Sequence, residues 1–443
     1  MVNKNKEFMT LTKQKLKSSL QLSLAAAIAM TLSLPTLAQD TLLIADAYVD
    51  VAAGKTIKDV AIVISDNQIS QVTKQSKIPT NNDYKLVDLS GKTLLPGVMD
   101  MHVHLSGDAE DNFLAAQNYS IPRQTVKAVK NAEKTLMAGF TTVRDLGASG
   151  YAVIATRDGI NAGEIPGPRI WAVGHAISIT GGHCDDNFSS PEKKAKAQGV
   201  ADGPWAVRAK VRENIKYGAN AIKVCATGGV FSKGTKVGVQ QLTYEEIKSA
   251  VDEAHMRGLV IAAHAHGTSG IKASIRAGID SVEHCSFMDD EAIDMAIEAG
   301  TYLSCDIYNT EYTLAFGAAN GVPEENINKE KLVSQAQRDS FRKAVKAGAN
   351  MVFGSDAAIY PHGDNGNQFS RMVKFGMTPA QALQAATINS AALLKQNNLG
   401  QIKVGFLADI IAVEGDPLKN ISLMENVTFV MKDGQIFKSL ASE

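Results

Sequence analysis

The chain divides into three stretches by its pattern of apolar and polar positions. The first opens with Leu42-Leu43-Ile44-Ala45-Asp46-Ala47-Tyr48-Val49-Asp50 and continues with Asp59-Val60-Ala61-Ile62-Val63-Ile64. A turn at Asp66-Asn67 then leads into Gln68-Ile69-Ser70-Gln71-Val72. These are short runs rich in β-formers, broken by turn residues. The last stretch reads the same way, with Asp409-Ile410-Ile411-Ala412-Val413 followed by Thr428-Phe429-Val430-Met431 and Gln435-Ile436-Phe437. Two β-rich ends around a different middle predict one small β domain, a β-sandwich, assembled from residues 39–92 and 405–443. In the middle, 93–404, helical and extended patterns alternate. Ala138-Gly139-Phe140, Tyr217-Gly218-Ala219, Arg257-Gly258-Leu259, Ala277-Gly278-Ile279, Ala299-Gly300-Thr301 and Ala347-Gly348-Ala349 each close a helical pattern and open an extended one. Gly just past a helix end is the expected left-handed cap. Six such junctions imply serial βα units and a parallel sheet. A closed eight-stranded barrel and an open doubly wound sheet both satisfy that count. No G-x-G-x-x-G follows a strand and no Walker A sequence occurs, which counts against a nucleotide-binding open sheet.

Ahead of these lies a third kind of segment. Lys4, Lys6, Lys13, Lys15 and Lys17 precede an apolar run from Leu22 to Leu34, and Pro35-Thr36-Leu37-Ala38 puts small residues at −3 and −1 of a cut after Ala38. That is the pattern of a secretory signal peptide, residues 1–38, with a core too short to span a bilayer. The expectation is an exported protein, periplasmic or secreted, without a stable membrane anchor. The 443 residues carry 45 basic and 46 acidic side chains; loss of five Lys and Glu7 with the signal leaves a net charge of −5. No basic stripe appears, so nucleic acid is not an expected partner. At 45% apolar and 21% charged, the composition is that of an ordinary globular enzyme. Four cysteines, Cys184, Cys225, Cys285 and Cys305, are too few for a disulfide scaffold. Export permits a Cys184–Cys225 bridge, and buried free thiols are the competing reading.

Candidate chemistry gathers at the predicted strand ends. His102-Val103-His104 closes the first, and spacing two puts both imidazoles on one face of a strand. The third leads into Gly181-Gly182-His183-Cys184-Asp185, and the fourth, Ala221–Gly229, carries Lys223 inside an apolar run. The fifth ends in His264-Ala265-His266, the sixth in His284 and the eighth in Asp356. Polar residues at the C-terminal ends of βα strands are where a barrel carries its active site. Taken singly, each His reads as a core residue, Asp356 as a helix cap, and Lys223 as a costly buried cation. As an ordered series they point to a divalent-metal site of N and O donors. Asp145, beside Arg144 at the end of the second strand, is either a structural ion pair or a substrate contact. His255 reads as structural, His175 as a support for the site residues, and His362 as an orienting group for the loop after the eighth strand.

The series His102-x-His104, Lys223, His264, His284, Asp356 resembles the binuclear-metal amidohydrolase superfamily. Gly181–Asp185, Ile222–Gly229, Ala263–Gly267 and Tyr360–Asn365 resemble its branch of metal-dependent Xaa-Arg/Lys carboxypeptidases and Xaa-Pro dipeptidases, related to imidazolonepropionases. The resemblance implies a (β/α)₈ barrel of the TIM type, with one metal on His102, His104 and Asp356 and the other on His264 and His284. It implies Lys223 carboxylated by CO₂ and bridging two ions, Zn²⁺ being the expected metal. A hydroxide shared by the metals would attack the peptide carbonyl. Asp356 would move its proton to the leaving amine, and His183 would hydrogen-bond the oxyanion. His266 and Tyr308 would line the substrate pocket, and Asp185, Asp306 or Asp364 would face a basic side chain. The expected activity is release of a C-terminal residue, Arg or Lys, from dipeptides or short peptides. The form His264-Ala265-His266-Gly267 resembles the Arg/Lys-releasing members, since the proline-releasing ones carry Tyr at the His266 position. Alternatives are an Xaa-Pro dipeptidase, a cyclic-amide or N-acyl amino acid amidohydrolase, and an exported peptide-binding protein without turnover. The sequence leaves assembly as a homo-oligomer open.

Overall fold

The computed structural model describes residues 39–79 and 83–439. The expected export signal, residues 1–38, lies outside the described residues. None of the described helices is long and apolar enough to cross a membrane.

Both ends of the chain meet in one hydrogen-bonded sheet. Its strands are β1 (Thr41–Asp50), β2 (Lys55–Ser65), β3 (Gln68–Thr73), β4 (Lys85–Pro96), β13 (Ile410–Glu414), β14 (Phe429–Lys432) and β15 (Gln435–Lys438), in the order β15-β14-β13-β4-β1-β2-β3. β4 pairs in parallel with β1 and antiparallel with β13, with Ile410 opposite Pro96 and Glu414 opposite Lys92. Leu43, Ala45, Ala47 and Val49 alternate inward along β1, as a half-buried strand requires. Leu43, Ile62, Leu94, Ile410 and Phe429 belong to one buried cluster, so apolar positions from both ends share a core. β4 was not anticipated at its full length. It runs through position 92, where the β domain was expected to stop, and reaches the next strand across Gly97. A Cβ at Gly97 would lie 2.3 Å from the Thr141 hydroxyl, so the Thr141 side chain packs directly on the Gly97 backbone.

The middle is an α/β fold with parallel sheets. β5 (Val98–Val103), β6 (Phe140–Asp145) and β7 (Arg169–Ala172) form one. The other contains β8 (Ile222–Cys225), β9 (Ile261–Gly267), β10 (Ser281–Phe287), β11 (Tyr302–Ser304) and β12 (Met351–Val352), in the order β12-β11-β10-β9-β8. Single parallel bridges join their free edges, Val103 to Ala357 on one side and Ile177 to Val224 on the other. The six helix-Gly-strand junctions are present as expected, each Gly having φ between 71° and 98°. Beyond β12 the chain stays bonded to β5, the Asp356 N–H donating to the His102 carbonyl at 2.7 Å. Buried Asp100 holds this arrangement, accepting from the N–H groups of His102 (3.1 Å) and Ser355 (3.0 Å) and from Asn365 Nδ2 (2.8 Å).

Candidate active site

The strand ends bring the predicted residues together. His102, His104, His183, Lys223, His264, His266, His284 and Asp356 all line one inner cavity of about 210 Å³. The Nε2 atoms of His102 and His104 lie 3.3 and 3.4 Å from Asp356 Oδ1, the outcome that spacing two on one strand face requires. His264 and His266 share a face of β9, with ring centroids 4.8 Å apart. The His284 ring lies 4.5 Å from His264 and 5.0 Å from His102, between the two halves of the cluster. A larger outer cavity of about 1070 Å³ shares His104, His183 and Phe231 with the inner one and leads to the surface.

Backbone strain marks two of these residues. Asp356 has φ 54°, and His284 and Cys285 follow one another at φ 73° and 56°. Side chains with a Cβ pay for left-handed backbone, and such strain clusters at functional sites. At His284 the turn aims the imidazole inward while Glu283 stays buried behind it.

Supporting contacts fix which ring atoms face the cavity. His104 Nδ1 is held by the Gly147 carbonyl at 3.0 Å, His266 Nδ1 by Ser286 Oγ at 2.7 Å, and His284 Nδ1 by Asp306 Oδ1 at 3.0 Å. In each ring Nε2 is left for the cavity. His102 Nδ1 faces Glu283 Oε2 at 3.2 Å, and Glu283 Oε1 binds Arg144 Nη2 at 2.7 Å in a fully buried pair. Arg144 also donates to the Met101 carbonyl and to Ser281 Oγ. It therefore turns to Glu283 and not to Asp145, which instead accepts the N–H groups of Leu105 and Gly147.

Burial keeps the imidazoles neutral. It holds His102, His264 and His266 well below the usual value and pushes His104 down to about 4, the Lys223 charge adding to the effect. His284 is the exception: burial, the largest single influence, lowers it, but the Asp306 and Asp356 carboxylates together outweigh burial and its net shift is upward. Burial pushes Asp356 up to about 7 and the Lys223 ammonium down to about 8. Neutral imidazole is the form that binds a metal.

Divalent ions fit this donor set. Two groups, His264–His266–His284 and His102–His284–Asp356, have candidate ligand atoms within 4.8 Å of one another. His264 Nε2 is buried with no hydrogen-bond partner, a state that costs free energy unless something binds it. The expected division puts His102, His104 and Asp356 on one ion and His264 and His284 on the other, and both His102 and His104 do stand against Asp356. His284 belongs to both groups, and His266, expected as a substrate contact, stands as close as a ligand.

His183 stacks on His264 with centroids 4.0 Å apart and is held through Nδ1 by Ser232 Oγ at 2.9 Å. A disulfide joins Cys184 to Cys225 and so ties the loop of His183 to the strand of Lys223; Cys285 and Cys305 are free and buried. Tyr308 corrects the expectation. It packs on Tyr360 with centroids 4.7 Å apart, lies under the Arg371 guanidinium and does not line the inner cavity, where its neighbour Asn309 stands instead. Asn309 donates to Asp356 Oδ2 at 3.2 Å. Of the three Asp offered for a basic side chain, Asp306 lines the cavity but is engaged by His284, Asn309 and Gln337. Asp185 is tied up by the N–H groups of Gly181 and Ala197 in the outer cavity, and Asp364 is exposed outside the inner one. His255 pairs with Asp280 at 2.9 Å on the helix Tyr244–Met256, as its structural reading requires. His362 braces the His104 carbonyl at 3.2 Å, and His175 lines the outer cavity.

Sequence reading missed one wall. The helix Glu324–Ala347 contributes Glu330, Val333 and Gln337 to the inner cavity. The spacing i, i+3, i+7 was available as a signal, since those positions share a helix face.

Comparison with known proteins agrees with this geometry. The model of the Amidohydrolase family matches residues 93–437. Ochratoxinase of Aspergillus niger is 31% identical over 415 residues, covering 87% of this chain and 84% of its own. Imidazolonepropionase of Streptomyces coelicolor is 24% identical over 405 residues, covering 84% of this chain and 90% of its own. The crystal structure of a Xaa-Pro dipeptidase with bound methionine in the active site is 40% identical, with a TM-score of 0.85 over 90% of this chain and 100% of that one. The chain belongs to the amidohydrolase family.

Proposed function

We propose that this amidohydrolase cleaves the amide bond before the C-terminal residue of dipeptides or short peptides and releases Arg or Lys. The observation that carries the reading is the convergence of six imidazoles, Lys223 and Asp356 on one cavity at the strand ends. In this reading the two parallel sheets are one (β/α)₈ barrel closed through the Val103–Ala357 and Ile177–Val224 bridges. Residues 93–404 form that barrel. Residues 39–92 and 405–443 form the β-sandwich, its seven strands curled around their shared apolar cluster. Residues 1–38 direct export to the periplasm or medium.

His102, His104, Lys223, His264, His284 and Asp356 would hold two divalent ions, Zn²⁺ by preference for imidazole with carboxylate. Such ions would supply Lewis acidity and a lowered pKa for water. Burial favours an uncharged Lys223 amine, which can add to CO₂. From the ammonium, two protons leave the nitrogen for solvent, one to free the amine and one as the N–C bond forms, and an anionic carbamate would stand where a buried cation stood. Asp356, which lines the cavity beside His102 and His104, would take the proton of the attacking water and deliver it to the leaving nitrogen. Ser232 at Nδ1 leaves His183 Nε2 to donate to the carbonyl oxygen as its charge develops. His266 Nε2 would bind the substrate carboxylate.

Release of proline is the second reading, favoured by the 40% identity to a Xaa-Pro dipeptidase over 90% of the chain. The purified mature chain, assayed against Xaa-Arg, Xaa-Lys, Xaa-Pro and N-acyl amino acids, separates the two. Preference for Arg and Lys supports the first reading, and preference for Pro replaces it with the second. Elemental analysis with fewer than about two ions per active chain rules out the binuclear site.

A further inference from the structure

Glu330 is a carboxyl group that the mechanism does not use. It is 4% exposed, on the helix Glu324–Ala347, and lines the same inner cavity as His264, His266 and Asp356. Its one hydrogen bond among the described residues comes from Thr310 Oγ1 to Oε1 at 2.5 Å. An ionised carboxylate accepts about four hydrogen bonds, so most of its capacity is unused. No ion pair to it forms among the described residues: the guanidinium of Arg338 lies near enough to be felt but is turned to Glu311 at 3.6 Å. Burial, opposed by Thr310, His284 and Arg338 and reinforced by the nearby Asp306 charge, pushes the Glu330 carboxyl up to about 7. A buried acid beside other carboxylates ionises cheaply only when a cation arrives. The same cavity is also lined by Val230, Phe231 and Val333. Apolar lining together with a carboxylate suits a methylene stem that carries a charged nitrogen.

We propose that Glu330 is the residue that receives a cationic nitrogen of the substrate, an ammonium or guanidinium, and so sets its preference. This rests on the reading of the cavity as a peptide-hydrolysing site. It differs from that reading in naming a residue which none of the Asp candidates supplies. The same chemistry is available from the basic side chain of the released residue or from the α-ammonium of a dipeptide, and the substrate series tells them apart.

The test compares kcat/KM for Leu-Arg, Leu-citrulline and N-acetyl-Leu-Arg in the wild type, Glu330→Gln and Glu330→Asp. Citrulline replaces the guanidinium by a neutral urea, and acetylation removes the α-ammonium. The expected result is a wild-type preference of roughly 30-fold for one charged form over its neutral counterpart, the scale of a buried charge-assisted pair. That ratio collapses toward one in Glu330→Gln and is partly retained in Glu330→Asp. Collapse of the Arg-to-citrulline ratio assigns the side chain as the cation, and collapse of the free-to-acetylated ratio assigns the α-ammonium. Wild-type ratios near one at both ends, with the peptides still cleaved, overturn the proposal and leave the hydrolase reading standing, whether or not either variant folds. Ratios that survive unchanged in folded Glu330→Gln also overturn it. Cleavage of none of the three peptides removes the Arg-releasing reading and this proposal with it, and leaves proline release standing.

Discussion

Replacing Glu283 by Gln tests the buried chain Arg144–Glu283–His102. The substitution keeps the shape and removes one charge. Arg144 and Glu283 are both 0% exposed, and their contact is 2.7 Å. In the wild type burial is the largest single influence and raises the Glu283 carboxyl, but Arg144, His102 and Lys223 together outweigh it and hold it well below the usual range. With Gln at 283 the guanidinium keeps its bonds to the Met101 carbonyl and Ser281 Oγ and loses its counter-charge. Breaking a buried pair by removing one partner costs about 3–5 kcal/mol. The second consequence falls on His102, whose Nδ1 faces the other Glu283 oxygen at 3.2 Å. Loss of such a support costs a metal site about 10- to 100-fold in affinity. Guanidinium unfolding of metal-free protein reads the first effect, and titration with Zn²⁺ against a competing chelator reads the second. A loss under about 1 kcal/mol, the scale of an ordinary surface substitution, would show that the carbonyl and hydroxyl alone satisfy Arg144. An unchanged Zn²⁺ affinity would detach Glu283 from His102.

Three further outcomes follow from the same structure. Reduction, or the pair Cys184→Ser and Cys225→Ser, opens a loop with a sequence separation of 41 and should lower stability by about 2–4 kcal/mol in urea unfolding; an unmoved midpoint refutes a formed disulfide. A Cβ at Gly229 would lie 2.5 Å from His183 Cε1, so Gly229→Ala should displace that ring and cut kcat about 100-fold with metal content intact; full activity would remove His183 from the reaction. Glu330 binds its proton more tightly folded, near pH 7, than unfolded, near 4.5. Its contribution is therefore full below about pH 4.5 and falls by about 1.4 kcal/mol per pH unit until pH 7. Relative to the wild type, Glu330→Gln should gain about 3 kcal/mol between pH 4.5 and 7.5, and a flat difference across that range contradicts the burial argument.

The parts of the site that follow a local rule were legible. Spacing two on a strand put His102 with His104 and His264 with His266, and Gly past a helix end marked six real junctions. What was not legible depends on groups distant in sequence. The Arg144 partner was sought next door in Asp145 and is Glu283, 139 residues away. Glu330 and Gln337 share a face of a long helix by their spacing, but which partner that face meets depends on strands far away in the sequence. Tyr308 sits one residue from a real cavity position, and single-residue orientation on a loop is beyond periodicity. The left-handed backbone at His284 and Asp356 left no mark, because neither residue type announces it.

The pairing of β4 with β13 carries a consequence for the order in which the molecule is made. Lys92 and Glu414 touch across 322 residues, so four strands at the start wait for their neighbour until the chain is almost finished. At about 5–20 residues per second, synthesis of the intervening segment takes on the order of 15 to 60 seconds. Throughout that interval the open edge of β4 offers its unpaired N–H and C=O groups to any other strand. Trimming the chain from Ile410 onward, which removes β13, would therefore leave that edge of β4 unpaired in the finished molecule and damage the first strands along with the last.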